Sequence, residues 1–430
     1  MSKIAFLKGL EILDSRGRPT VKAYCQLQGG AMATASVPSG ASTGAAEAHE
    51  LRDGEPERYG GKGCRKAAAH VGGEIRRALA GRNFDSQQEL DRALIELDGT
   101  ASKSRLGANA LLAVSIAFAR ARAEEARQPL YRHFAEMLGH PLERFPRLTI
   151  NLFSGGLHAG RQLPIQDVLM VPSSAPTYAD GLAMAQRVYM AAVELTRRKY
   201  GMRWLTADEG GLAPPAAGAE ALIEDAMQAI HDASLTPGKD VALAIDVASS
   251  HFQTPEGRYA LGEERLTSSQ MIERLAQWVE RYPIVSIEDG LGEDDWDHWP
   301  RLLAALRDRA LVLGDDLLCT NPVRIRKAIV ENACNALLLK VNQIGTLSEA
   351  LEAYRLARSA GWNITISARS GETEDNWYAD LVVGWSGDQT KAGSITQSER
   401  LAKYNHLLEI EQELPLPMNP WPAPSAMRTK

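Results

Sequence analysis

Through the second two-thirds of the chain, apolar residues fall in short unbroken runs, each stopped by charged positions. Run 241–245 ends at Asp246, run 284–287 at Glu288 and Asp289, and run 311–313 at Gly314, Asp315 and Asp316. Run 336–339 ends at Lys340, and run 363–367 stands just before Arg369 and Ser370. Runs this short, without polar alternation, predict strands covered on both faces. From Asp246 the next stops follow at spacings of 42, 27, 25 and 29 residues. Each interval has room for a strand, a helix and two loops, so successive βα units predict a (β/α) barrel from about Pro146 onward.

The first ~135 residues pattern differently and predict a mixed α+β unit. Stretch 20–27 alternates as a strand and stops at Gly29-Gly30, and the Ala-rich stretch 106–125 carries apolar residues at helical spacing. Between them, Ser36-Val37-Pro38-Ser39-Gly40-Ala41-Ser42-Thr43-Gly44 is small, hydroxylated and nearly without packing surface. Composition alone reads this run as a mobile linker.

Charge narrows the choice of ligand. The 430 residues carry a net charge of −6, which argues against a broad nucleic-acid or anionic-membrane surface. An anionic ligand must then be gripped by a local cluster or by metal ions. There is no membrane-spanning run of about 18 apolar residues. Lys8, Glu11, Asp14 and Arg16 near the start do not read as a secretory signal. Cys25, Cys64, Cys319 and Cys334 are scattered, as expected of reduced thiols in a cytoplasmic protein.

Residues at the carboxyl ends of barrel strands converge on one mouth. Asp246, Glu288 and Asp315 would meet there with Lys340 beside them. Close carboxylates cannot all stay ionised without a positive charge between them, and oxygen-only ligation suits Mg2+. Solvated carboxylates or arginine partners are the plainer alternative, weakened by three such residues in successive units. A lysine beside a divalent cation should lose its proton more easily than usual, which makes Lys340 a candidate general base.

Several longer stretches carry a resemblance. EILDSRGRPT (11–20), VPSGASTG (37–44), DEGGLAP (208–214), SIEDGL (286–291), LLLKVNQIGT (337–346) and RSGETED (369–375) together resemble enolase over nearly the whole chain. The resemblance implies an α+β domain over 1–135, then a (β/α)8 TIM-like barrel with irregular first units over 140–430. It implies reversible dehydration of 2-phosphoglycerate to phosphoenolpyruvate with two Mg2+ per site. By position it makes Asp246, Glu288 and Asp315 ligands of the first Mg2+. Ser39 becomes the ligand of the second, carried on a lid over 36–44 in place of the linker. Lys340 matches the base and Glu209 the acid that helps hydroxyl departure. Lys391 matches the grip on the substrate carboxylate, Arg369 and Ser370 the phosphate pair, and His158, Gln166 and Asp167 further substrate contacts. The family also implies a homodimer or larger homo-oligomer in the cytoplasm.

Departures from the family pattern gather around the leaving group. Ala368 stands for a histidine, Asp167 for a glutamate, His251 for a glutamate, and Gln397 for an arginine within an altered stretch, Ser394-Ile395-Thr396. Losing an imidazole and a methylene enlarges that side of the pocket. Two enzyme readings follow. One is an ordinary phosphopyruvate hydratase. The other is a specialised paralogue such as a carboxyphosphonoenolpyruvate synthase of phosphonate or phosphinate antibiotic pathways, acting on a phosphono-carboxylate. A non-catalytic binding relative is a third reading, opposed by the intact Lys340, Glu209 and metal ligands.

Overall fold

The computed structural model describes residues 2–41 and 44–422. Ser42 and Thr43 of the expected lid lie outside the described residues. The chain opens with β1 (Ser2–Leu13), β2 (Pro19–Leu27), β3 (Met32–Ser36) and β4 (Asn83–Phe84), an antiparallel sheet in the order β3-β2-β1-β4. Alternation along β2 turns Val21, Ala23, Cys25 and Leu27 into the core. The Ala-rich stretch forms helix Ala108–Glu125, apolar on nearly every side. It can be so because it is covered all round: the sheet lies on one side and barrel segments Val341–Gln343 and Leu347–Ser359 on another. Ser115 at its centre accepts a hydrogen bond from Leu347 N at 3.2 Å, tying helix to barrel.

The barrel strands are β5 (Arg147–Leu148), β6 (Ile150–Ser154), β7 (Asp167–Val171), β8 (Ala242–Asp246), β9 (Ile284–Glu288), β10 (Leu311–Gly314), β11 (Ala336–Leu339), β12 (Asn363–Ser367) and β13 (Gln389–Lys391). They run in the order β5-β13-β12-β11-β10-β9-β8-β7-β6. β5 and β6 are one segment interrupted at Thr149. β5 pairs with β13 and β6 with β7, and Thr149 N donates to Thr390 O at 3.0 Å, so the sheet closes on itself. From β8 to β13 and on to β5 the pairing is parallel. Only β7 runs against its neighbours, with Asp167 opposite both Ser154 and Asp246. The apolar runs of the sequence all became strands, and the irregular first units are this antiparallel entry.

The run 36–41 has little side-chain surface, yet it is seated on the barrel through its backbone. Ser39 N donates to Gly371 O at 2.9 Å and Gly371 N returns to Ser39 O at 3.0 Å. Trp377 Nε1 donates to Ser36 O at 3.0 Å. A Cβ on Gly371 would stand 2.8 Å from Ser39 O, so glycine there permits the approach. Backbone hydrogen bonds supply the anchoring that composition did not predict.

Candidate active site

The strand ends deliver their charges to one place. β8 ends at Asp246 and β9 at Glu288, residues directly opposite in register. Lys391, the last residue of β13, sets its ammonium between them, 2.9 Å from Asp246 Oδ2 and 2.6 Å from Glu288 Oε2. Lys340, just past β11, is ion-paired with Asp315. All five side chains are nearly fully buried apart from a small exposed fraction of Lys340. Gln166 Nε2 also donates to Asp246 Oδ2 at 3.1 Å, and Gln343 Nε2 to Asp315 Oδ1 at 2.8 Å. The two lysines therefore lie among the carboxylates as counter-charges.

Burial pushes the Glu288 carboxyl well above the usual carboxylate range, and neighbouring Asp246 adds to it. Its Oε1 is buried without a hydrogen-bond partner. An orphaned carboxylate oxygen facing Asp246 is oxygen chemistry of the kind Mg2+ takes, but among the described residues Asp246, Glu288 and Asp315 do not gather their oxygens within 4.8 Å of one another, because Lys391 and Lys340 stand among them. The Lys340 ammonium is raised above its ordinary value. Burial alone would lower it, but Asp315 and then Glu288 outweigh burial and the repulsion of Arg369 and Lys391. The lowered value expected from the sequence thus requires Asp315 to be neutralised by a cation.

A tighter acidic group, unforeseen in the sequence, sits alongside: Asp289, Asp315 and Asp316, all buried, with oxygens within 4.8 Å of one another. Asp289 accepts from Asp315 N at 2.9 Å and Asp316 N at 2.7 Å, which orients the loop carrying Asp315. His158, Asp167 and Glu209 form a second group of that kind. His158 Nδ1 lies 3.3 Å from Asp167 Oδ2 and Nε2 3.7 Å from Glu209 Oε1. The first is a charge contact without hydrogen-bond alignment, since both atoms lack a hydrogen-bond partner. Burial opposes charge on His158, but Glu209 and Asp167 win and bring it up to about 9. Glu209 goes the other way: burial would raise it, but His158 and then Arg400 hold it down at about 2. At neutral pH the proton of this pair rests on His158.

Ser154 Oγ donates to Asp167 Oδ1, and Asn151 Nδ2 donates to Glu209 Oε2 at 3.1 Å. Arg369 lies between Glu47 and Asn342, its Nη1 3.0 Å from each partner. Ser39 Oγ donates to Asp14 Oδ2 at 2.8 Å and accepts from Arg16 Nη2 at 3.0 Å. Ser370 Oγ accepts from Ala41 N at 2.8 Å. The cavity between these groups is small, about 10 Å3, and is lined by His158, Gln166, Glu209, Lys340, Ala368 and Arg369 with their neighbours. Ser39 is not among its lining residues, and its hydroxyl is engaged by Asp14 and Arg16.

Asn151, Glu47, Asn342 and Gln343 are given no role in the sequence reading, and Asp289 and Asp316 stand there only as stops of apolar runs. Asn151 left a signal: a buried amide inside an apolar strand. Glu47 left none, because its partner Arg369 lies 322 positions away. No helix among the described residues is long and apolar enough to cross a membrane.

Residues 143–418 match the family described as Enolase, C-terminal TIM barrel domain, and residues 4–134 match Enolase, N-terminal domain.

Proposed function

The chain belongs to the enolase family, and from that premise we propose that it removes the α-proton of a small phosphorylated carboxylate through Lys340, in the ordinary case converting 2-phosphoglycerate to phosphoenolpyruvate and water. The observation that carries this reading is the joint presence of Lys340, Glu209, His158 and Arg369 around one enclosed cavity. Asp246, Glu288 and Asp315 would hold Mg2+, which when bound supplies Lewis-acid neutralisation of substrate oxygens. For Ser39 to hold a second ion, its hydroxyl must exchange Asp14 for the cation.

The chain's own groups divide the remaining work. Lys340 takes the proton once Asp315 no longer pins its ammonium. Lys391 meets the substrate carboxylate. Arg369, whose guanidinium now faces Glu47, meets the phosphate together with Ser370, a bidentate geometry that arginine suits. Gln166 fixes Asp246, and Asp167 helps keep His158 charged. The His158–Glu209 pair delivers a proton to the departing hydroxyl, a contribution of about 10²–10⁴ in rate for one positioned acid. A homo-oligomeric assembly and a cytoplasmic location go with this reading.

Ala368 favours a second reading. It lines the cavity where the family pattern has an imidazole, and Asp167 is drawn toward Ser154. A methyl in place of an imidazole leaves less bulk on the leaving-group side, which would suit a bulkier phosphono-carboxylate, as in a carboxyphosphonoenolpyruvate synthase. The deciding experiment is 2-phosphoglycerate with Mg2+ in D2O, following α-proton exchange by NMR and product by absorbance. Exchange that Lys340→Ala abolishes supports the base assignment, and its persistence in that variant overturns it. Normal product formation by the natural sequence removes the second reading.

A further inference from the structure

The turn that carries Glu209 is tied to segment 393–397 by contacts the mechanism above does not use. Ser394 N donates to Glu209 O at 2.9 Å. Thr396 Oγ1 donates to Gly210 O at 3.1 Å, and Gln397 Nε2 donates to Ala207 O at 3.2 Å. The two backbones approach closely. A Cβ on Gly210 would stand 2.6 Å from Thr396 Oγ1, and one on Gly393 would stand 3.0 Å from Glu209 O. Gln397 holds φ 72° although it is not glycine, a conformation that persists only where the surroundings over-determine it. Its side chain makes no cap for the helix Ser398–Glu413 that it precedes. Its amide is spent on Ala207.

These contacts come from the stretch in which the sequence departs from the family pattern. They also act where the geometry is most demanding. The Glu209 carboxylate is fixed at its tip by Asn151 and faces His158, so its reach is set by where the backbone of 207–210 stands. A displacement near 1 Å at such a group is costly to catalysis.

We propose that Thr396 and Gln397 are positioning residues that hold the Glu209 turn at a fixed depth over the cavity, and so tune the leaving-group step of this chain separately from the Lys340 step. The inference rests on the reading of His158–Glu209 as the proton source.

The test uses the full chain with Mg2+ and 2-phosphoglycerate, comparing the natural sequence with Thr396→Val, Gln397→Met, their double variant and the conservative Thr396→Ser. Amide hydrogen exchange of the peptide covering 205–213, read by mass spectrometry without substrate, should quicken about fivefold for each hydrogen bond removed. In the double variant product formation should fall at least about tenfold while α-proton exchange stays within about twofold, and Thr396→Ser should restore the natural ratio. Unchanged amide exchange in the double variant, or equal loss of both steps, overturns the clamp. If the natural chain exchanges no α-proton at all, the functional reading fails, and the amide-exchange arm alone decides the clamp.

Discussion

Lys391→Met removes one ammonium and leaves two buried carboxylates facing each other. In the natural protein that ammonium lies 2.9 Å from Asp246 and 2.6 Å from Glu288, with each side chain under a tenth exposed. Breaking a buried pair by deleting one partner costs about 3–5 kcal/mol. At roughly 2–4 °C per kcal/mol for domains somewhat smaller than this barrel, the thermal midpoint without metal should drop by roughly 6–20 °C. The sign with pH follows from Glu288. Its folded value already lies well above the ordinary one, through burial and Asp246, and loss of Lys391 drives it further up. The folded state then binds more protons than the unfolded chain, where a glutamate titrates near about 4.3. Stability of the variant therefore rises as pH falls, and the deficit is smaller at pH 5 than at pH 8. Mg2+ on the same carboxylates replaces the lost charge, adding about 2.7 kcal/mol at a hundred times its dissociation constant. Scanning calorimetry in EDTA and in excess Mg2+, at both pH values, measures all three effects. A variant that melts like the natural protein in EDTA, or that gains no more from Mg2+ than the natural protein does, refutes this account of the charge cluster.

Three further outcomes are expected. Glu209→Gln should lower product formation by about 10²–10⁴ while leaving α-proton exchange in place; loss of exchange would mean that the residue serves the base step instead. Ala368→His should raise turnover of 2-phosphoglycerate by refilling the leaving-group side of the cavity, and an unchanged or lower rate would remove the argument from pocket size. His406 pairs with Asp380 at 3.0 Å and Glu409 at 2.7 Å. Burial would lower its proton affinity, but these carboxylates raise it to about 9. Its contribution, on the order of 1 kcal/mol for a partly exposed pair, should be complete below about pH 6.5 and fade as pH passes 9. Urea unfolding of His406→Gln against the natural protein between pH 6 and 10 measures it, and parallel curves would exclude the pairing.

Legibility in the sequence followed the physics of each element. Asp246, Glu288, Asp315 and Lys340 stood out because each ends an apolar run, and buried strands need such runs. Lys391 ends a strand of only three residues, Gln-Thr-Lys, whose polar letters carry no strand signal; resemblance alone pointed to it. Asp289 and Asp316 were visible as letters, but the work of Asp289 in orienting the loop that carries Asp315 and Asp316 depends on a turn no pattern encodes. The long-range ion pairs of Lys391 and Arg369 could not be read. Lys391 meets Asp246 across 145 positions and Arg369 meets Glu47 across 322. The seating of run 36–41 left no signal because it is by backbone amides, which every residue type carries.

The reversed strand β7 has a bearing on how this scaffold can be altered. Its neighbour β8 brings its last residue, Asp246, to the cavity, whereas β7 begins there, just after Gln166, which lines it. Variation meant to reshape the mouth therefore belongs after a strand elsewhere in the barrel, but ahead of this one, in the loop between Gly155 and Ile165. Insertions following Val171 would emerge at the opposite rim, where length can change without disturbing the chemistry.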